Sequence, residues 1–301
     1  MKGILLAGGA GTRLFPVTQV QSKQLLPVYD KPMIYYPLTV LMLANIKEIC
    51  VISTPRDLPR FRELLGNGQQ WGLTIDYREQ PTPEGIAQAF LIAEDFIDRE
   101  PVCLILGDNL FYGVEFGELL QRSKNFVKEK DEAATFGYTV SNPEDYGVAE
   151  INQEGQVISL EEKPSKPKSD CAVTGLYMYP GDVADQARTL RPSDRGELEI
   201  TALNECYLRA NRLRLTMLGR GFAWLDTGSH DSLLDAGHFI ATIERRQGLK
   251  IGCVEEIAWR NGWLSKEMMA EIIETLGSSS YGMYLRRIWD KDLNEVDESS
   301  Q

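Results

Sequence analysis

Three places in this sequence carry residue types that could handle a phosphate. The run GGAGTR at 8–13 opens the first, and Lys23 follows it. Glycines after a short apolar stretch leave backbone N–H groups open to an anion. Arg13 can fork to phosphate oxygens, and Lys23 can supply a mobile point charge. The other two places are Asp108 and Asp226, each at the end of an apolar run with a glycine close by. Carboxylate oxygens of this kind suit Mg²⁺, which often takes one or two carboxylates together with substrate phosphates. Asp near Gly is also ordinary turn chemistry. Spacing does not bring residues 108 and 226 together, and on pattern alone the turn reading weighs at least as much.

Other chemistries find little support. A P-loop needs G-x-x-x-x-G-K-[ST], and no Lys-Ser or Lys-Thr follows these glycines. The dinucleotide fingerprint G-x-G-x-x-G finds Gly9 and Gly11, but Leu14 stands in the third place. Pro16 removes a backbone donor and clashes with a preceding turn, so no long helix starts at the glycines. The loop runs on for about twenty residues, through Pro27 and Pro32, a length that in compact domains is often functional. The only histidines, His230 and His238, lie eight apart in a helical pattern, where a surface or structural role fits best. Neither H-E-x-x-H nor G-x-S-x-G occurs.

The elements that must position these residues alternate through the first half. Apolar runs at 4–7, 48–53, 74–77 and 102–106 read as strands, and 33–44 as a helix. Residues 86–97 read as one amphipathic helix with Ile86, Ala89, Phe90, Ala93 and Ile97 on one face. This alternation implies a mainly parallel sheet with helices on both faces, and ligands outside the carboxyl ends of its strands. The glycine loop and Asp108 both sit at such ends. The second half is richer in strands, at 133–140, 147–151, 157–162, 172–179, 213–218 and 222–225. Residues 196–210 read as a helix, and the pattern is helical from Ser229 onward. Ser265 is a candidate N-cap and Gly277 a stop, and the acidic end 294–301 is expected to fray.

Composition bounds the rest. The 301 residues are 43% hydrophobic and 25% charged, ordinary values for a soluble globular chain. The net charge of −12 argues against nucleic acid or an anionic membrane as partner. Residues 1–31 oppose that field: Lys2, Arg13, Lys23 and Lys31 stand against Asp30 alone. Together with the glycines they suggest an anion-attracting cleft. No apolar run approaches the roughly 18 residues of a membrane span. No signal peptide is evident, and five scattered cysteines without a C-x-x-C pair suit a reduced, cytoplasmic protein.

A resemblance then enters on an ordered series of motifs. GGAGTRL (8–14) with SKQLLPV (22–28) is similar to the signature of sugar nucleotidyltransferases. EQPTPEGIAQAF (79–90), LGDN (106–109), YGVAE (146–150), LEEKP (160–164), AVTGLYMY (172–179), RGELEIT (195–201), WLDTGSHDSLL (224–234) and EEIAWRNGW (255–263) continue it across nearly the whole chain. The series most resembles members that join dTTP to glucose 1-phosphate, releasing pyrophosphate and feeding dTDP-L-rhamnose and related dTDP-sugars.

The resemblance implies a Rossmann-like α/β core over 1–240 with a strand-rich sugar-binding part, and a helical segment at 241–301 packed on it. It implies Mg²⁺ held by Asp108 and Asp226, and a homotetramer. It places Gly8, Gly9, Gly11, Thr12 and Arg13 around the triphosphate, with Lys23 near the reacting phosphate and Gln24 beside the nucleotide. Gln80 and Gly85 would contact the base. Asn109, Tyr146, Gly147, Glu162 and Val173 would hold the sugar, and Lys163 its phosphate. Arg13, Lys23, Asp108 and Lys163 would be the catalytic group. A second, regulatory nucleotide site would use Gly219, Arg220, Glu255 and Glu256. Ala10, Ser229 and Phe15 depart from the Ser, Thr and His of many members. The residues alone would leave Glu162 and Lys163 as strand-end surface charges. The alternatives are the same fold using UTP or CTP, a non-catalytic nucleotide-sugar sensor and, more distantly, a nicotinamide dehydrogenase.

Overall fold

The computed structural model describes residues 1–9 and 11–299, with side chains to residue 293. Its centre is a nine-stranded mixed sheet. Thr74–Glu79, Glu48–Ser53, Lys2–Ala7 and Val102–Leu106 run parallel in that spatial order. The inner three, Glu48–Ser53, Lys2–Ala7 and Val102–Leu106, are almost entirely apolar because both faces are covered, whereas Thr74–Glu79 at the edge is mixed. Alternate residues divide between two cores. Leu5, Val51 and Ile105 face one, with Leu38 and Leu41 of the helix Tyr35–Leu43. Ile4, Ile52 and Leu104 face the other, with Phe90, Leu203 and Tyr207. Truncating any of these fully buried aliphatics to Ala would cost about 2–5 kcal/mol.

The strand-rich half continues the sheet with antiparallel pairings. Cys171–Tyr179 lies against Val102–Leu106 on one side. Its other side pairs with Ala133–Thr139, so that Ala172 lies between Tyr138 of that strand and Val148 of Gly147–Ile151. Val157–Glu162 pairs with Gly147–Ile151, and Leu213–Met217 with Ala133–Thr139. A separate ribbon joins Asn109–Tyr112 to Ala223–Asp226, and another joins Pro27–Val28 to Lys31–Pro32. The strand Asn109–Tyr112 was not evident from pattern.

Two expected helices are corrected. The 86–97 segment is two short helices, Gln88–Ile92 and Glu94–Ile97, broken at Ala93. Its apolar face survives, since Ala89, Phe90, Ala93 and Ile97 share one core. Ile86 precedes the helix because the Ala87 N–H donates to the Leu198 carbonyl at 3.1 Å. The 196–210 helix begins only at Ile200. The backbone before it is committed elsewhere: Gly196 N–H donates to Ser193 O and Leu198 N–H to Glu84 O, at 2.8 and 2.7 Å.

The chain after residue 228 is helical as expected. His230–Gln247 starts with a capping box from Ser229 and Ser232, and Ser265 caps Lys266–Leu276 by accepting from the Met268 N–H. Gly277 follows that helix. Val254, Met269, Ile273, Leu285 and Ile288 pack into the same core as the first helix. The helix Ser280–Ser299 runs into the end expected to fray, whose last two residues and side chains from 294 lie outside the described residues. No helix among the described residues is long and apolar enough to cross a membrane. All five cysteines are free, and four are buried.

Candidate active site

The carboxyl ends of Lys2–Ala7 and Val102–Leu106 are neighbours, with Leu6 opposite Leu106. The glycine loop and Asp108 therefore open into one cleft. It comprises two adjoining cavities of about 400 and 390 Å³. They are lined by Gly8, Gly9, Gly11, Thr12, Arg13, Lys23, Gln24, Gln80, Gly85, Asp108, Asn109, Tyr146, Gly147, Glu162, Lys163, Val173 and Asp226. Every residue expected at the reaction site lies in this lining.

The loop is not structureless. Short 3-10 turns at Thr12–Leu14, Val17–Gln19 and Lys23–Leu25 punctuate it, and Leu14 is buried as an anchor. Gly8 lacks room for a side chain: a Cβ there would stand 2.3 Å from Gln80 Oε1. Gly11 has φ +62°, and Thr18 Oγ1 donates to its carbonyl at 2.7 Å. Ala10 lies outside the described residues, and Phe15 is exposed. Of the basic residues in 1–31, only Arg13 and Lys23 line the cleft. Lys2 pairs with Glu100, and Lys31 is buried elsewhere, so the expected four-cation field is reduced to two.

Lys23 is buried and ion-paired to Asp108. Asn109 holds this pair from behind. Its Nδ2 donates to Asp108 Oδ1 at 3.0 Å, while its Oδ1 accepts from Trp224 Nε1 at 2.6 Å and Gly175 N–H at 3.0 Å. Asn109 is thus a brace as well as a lining residue. Strand pairing sets Asp226 opposite Asn109. Thr227 donates to the Asp108 carbonyl through both its N–H (3.3 Å) and its hydroxyl (2.9 Å). Gly228 packs under the Arg13 guanidinium, 3.1 Å from where a Cβ would stand. Asp226 thus ends the strand Ala223–Asp226, and the link through Thr227 and Gly228 to the helix His230–Gln247 fastens it beside Asp108.

Burial would raise the Asp108 carboxyl, but the charge and hydrogen bond of Lys23 overcome it and hold it below the usual carboxylate range. Asp226 is pushed up to about 6 by burial and then by the negative charge of Asp108, against Lys23, Arg13 and Lys163. Two carboxylates that feel each other, of which Asp108 alone is ion-paired, form a site that a further cation would favour. Among the described residues no group of three or more His, Cys, Asp and Glu could hold a metal. Two carboxylates suit a hard cation that takes its other ligands from water and phosphate, as Mg²⁺ does.

The walls on either side differ in construction. On one, Gln80 is buried and donates to Gln88 Oε1 at 2.7 Å, and Gly85 has φ +100°. A Cβ on Gly85 would meet Leu198 O at 2.4 Å. The Ala87 N–H, just before the helix Gln88–Ile92, is already taken by the Leu198 carbonyl and is not free for a ligand. On the other wall, Glu162 accepts from the Thr201 hydroxyl at 2.5 Å and from Arg195 at 3.2 Å. Arg195 also binds Glu199, at 2.8 Å, which accepts from Ser193. Gly147 lies beneath, where a Cβ would be 3.0 Å from Thr201 Oγ1. Lys163 has φ +44°, and its N–H donates to the Tyr146 carbonyl. Burial, then the Asp226 charge, raises the Tyr146 phenol.

Sequence reasoning missed Tyr177, Arg195, Glu197, Glu199, Thr201 and Trp224, all in the lining. The runs RGELEIT and WLDTG contain most of them, but only Asp226 was singled out there. Arg195 with acids two and four residues on was the available signal. The four expected regulatory residues are not in the cleft. Gly219 and Arg220 are exposed between Leu213–Met217 and Ala223–Asp226. Glu255 accepts from Trp71 and Tyr281, and Glu256 from Tyr284 and Arg260. Both histidines are exposed and outside the cleft.

Comparison with known proteins shows the family. The family model described as Nucleotidyl transferase matches residues 2–243. The chain is 54% identical over 291 residues to a glucose-1-phosphate thymidylyltransferase of Neisseria meningitidis, covering 97% of this chain and 100% of that one. It is 56% identical over 284 residues to one from Xanthomonas campestris, covering 94% and 95%. A Bacillus anthracis structure with sucrose, assigned as a glucose-1-phosphate thymidylyltransferase, superposes with TM-score 0.73 at 40% identity, covering 79% of this chain and 94% of that one. A UDP-glucose pyrophosphorylase with UDP-glucose, at 24% identity and TM-score 0.69 over 80% and 98%, shares the fold.

Proposed function

This chain belongs to the nucleotidyl transferase family and is an enzyme of that class; on that premise we propose that it joins dTTP to α-D-glucose 1-phosphate, giving dTDP-glucose and pyrophosphate. One observation carries the reading. A glycine-built wall and a carboxylate-and-cation wall face each other across a single cleft, with Asp108, Asp226 and Lys23 between them. The names of the relatives supply the substrates.

The chemistry follows from the charges. A sugar phosphate is already an anionic nucleophile at neutral pH, so no general base is required. The exposed histidines fit that absence of a base. The difficulty is to hold two polyanions in line at the α-phosphorus, which positioning and electrostatic stabilisation can answer. Gly8, Gly9, Gly11 and Thr12 take the triphosphate. Arg13 makes no hydrogen bond to a described residue, so its guanidinium fork is available to phosphate oxygens. Lys23 stabilises charge on the reacting phosphate, and Gln24 lies beside the nucleotide. Gln80 and Gly85 read the base. Gly147, Glu162, Val173, Tyr146 and Asn109 define the sugar pocket, and Lys163 meets the sugar phosphate. Asp108 and Asp226 would hold Mg²⁺, which would neutralise phosphate charge there.

The same reading extends to a homotetramer in the cytoplasm, a boundary near 240/241 and supply of dTDP-sugar pathways. It also includes a second nucleotide site near Gly219, Arg220, Glu255 and Glu256, which calorimetry would register as more than one nucleotide per chain. The deciding experiment is pyrophosphate release from glucose 1-phosphate with each nucleoside triphosphate. Release with dTTP should exceed that with UTP by about 10–200-fold, the discrimination one methyl allows. No release with any triphosphate would leave a sensor; preference for UTP would leave the fold and reassign the base.

A further inference from the structure

Lys31 belongs to the basic stretch that opens the chain, yet the proposed reaction does not use it. Its side chain is buried in a cluster of four charges, none of which lines the cleft. Lys31 donates to Asp30 Oδ1 at 2.5 Å, Glu244 Oε1 at 3.1 Å and the Ile251 carbonyl at 2.9 Å. Lys250 binds Asp30, and Glu244 Oε2 at 3.3 Å. The rings of Tyr36 and Tyr281 flank the Lys31 ammonium at 5.0 and 5.9 Å. The cluster ties the ribbon Pro27–Val28/Lys31–Pro32 to the helices His230–Gln247 and Ser280–Ser299.

Buried ion clusters are poor sources of net stability, and apolar groups of equal volume often serve as well or better. What this one supplies is position. The ribbon has two residues in each strand, and its own pairing holds it weakly. Its base is bonded to the Lys23 turn: Met33 N–H donates to Leu26 O, Ile34 N–H to Gln24 O, and Leu26 N–H to Lys23 O, at 2.9, 3.0 and 2.9 Å. Two residues of this turn, Lys23 and Gln24, line the cleft. A shift of the ribbon would move them together.

We propose that Lys31 and Glu244 are positioning residues for Lys23: the buried cluster clamps the ribbon to the C-terminal helices and so sets where the Lys23 ammonium meets Asp108. The inference rests on the role given to Lys23 above. The test uses the full chain with Lys31→Met and Glu244→Gln combined, which removes one charge of each sign and leaves the Asp30–Lys250 pair. Turnover should fall roughly 10–100-fold, the scale of a misplaced catalytic group. The KM for dTTP should change less than turnover does, because Lys23 acts on the reacting phosphate and only Gln24 of this turn lies beside the bound nucleotide. In a Lys23→Ala background the same pair should cause no further loss. Lys23 should also be labelled faster by pyridoxal phosphate and borohydride once its hold on Asp108 loosens.

Unchanged turnover in the folded double variant would overturn the inference, as would a full additive loss in the Lys23→Ala background. Wild-type turnover in Lys23→Ala itself would overturn both the inference and the reading it rests on. A crippled Lys23→Ala beside an unaffected double variant would overturn the inference alone. Should the double variant not fold, Lys31→Arg, which keeps the charge but not the fit at Ile251, is put through the same comparison. It should show a smaller loss that again vanishes without Lys23.

Discussion

The two walls of the cleft solve the same problem with different materials. The wall of Gly8, Gln80 and Gly85 is set largely by backbone: a Cβ on Gly85 would strike the Leu198 backbone to which its segment is laced, while one on Gly8 would displace the Gln80 side chain. The wall of Glu162, Arg195, Glu199 and Thr201 is set by side chains that saturate one another. Backbone walls fail by collision, and side-chain walls fail by a lost partner. The Asp108–Asp226 pair between them belongs to neither, because its value lies in charge.

The largest effect is expected at that pair. Asp226→Asn keeps shape and removes charge, and turnover should fall roughly 10²–10³-fold, as for loss of one preorganised electrostatic group. Raising Mg²⁺ should restore part of it; wild-type turnover at every Mg²⁺ concentration would make Asp226 a turn residue only. Stability should move differently. Asp226 ionises at about 6 in the folded chain, against about 3.9 unperturbed. Its stabilising contribution is fully present below the lower value and is lost as pH rises through the higher. In chelator at about pH 7.5, Asp226→Asn should therefore melt no lower than wild type.

Next comes the side-chain wall. Glu162→Gln weakens charge-assisted bonds to Arg195 and Thr201, each worth about 1.5–3 kcal/mol. Initial rates should show the KM for glucose 1-phosphate rising by about tenfold or more, with the KM for dTTP little changed. A rise in the dTTP constant instead would break the division between the walls. For the backbone wall, Gly85→Ala meets both a left-handed φ and the Leu198 carbonyl. It should cost about 1–3 kcal/mol in denaturant unfolding and raise the dTTP constant first. The smallest effect belongs to Gln88→Ala. It removes the neutral hydrogen bond that steadies Gln80, worth about 1 kcal/mol, along with exposed bonds to Glu84, which lies outside the lining, so dTTP binding by calorimetry should weaken by about fivefold. A loss as large as that of Gly85→Ala would show that the backbone wall also depends on side chains.

Much of the fold was legible because its inner strands are buried on both faces and read as apolar runs, while the strands of the second half alternate with turn signals. Residues 48–53, 147–151 and 157–162 coincide with strands of the structure. Helix starts were less legible. Gly196 and Ile86 fit helical patterns, but tertiary hydrogen bonds to Glu84 and Leu198 hold the neighbouring backbone out of the helix. The charge pattern of residues 1–31 also misled, since a lysine in a sequence does not say whether it faces a cleft or a buried carboxylate. Lys23 and Lys31 differ in this way only after folding.

The sequence by itself determined the local pieces. It set the apolar runs that become strands, the glycines that permit positive φ, the Ser229 and Ser265 caps and the acidic residues at strand ends. These depend on neighbours within a turn or a strand, and such distances are written in the order of residues. Only the tertiary structure decided which pieces meet. Asp226 reaches Asp108 because Ala223–Asp226 pairs antiparallel with Asn109–Tyr112 and Thr227 bonds back to the Asp108 carbonyl. Arg195 reaches Glu162, and Lys31 reaches Glu244, across gaps in sequence of 33 and 213 residues. No local period encodes such partners, because register and docking are settled by the burial of whole strands and helices.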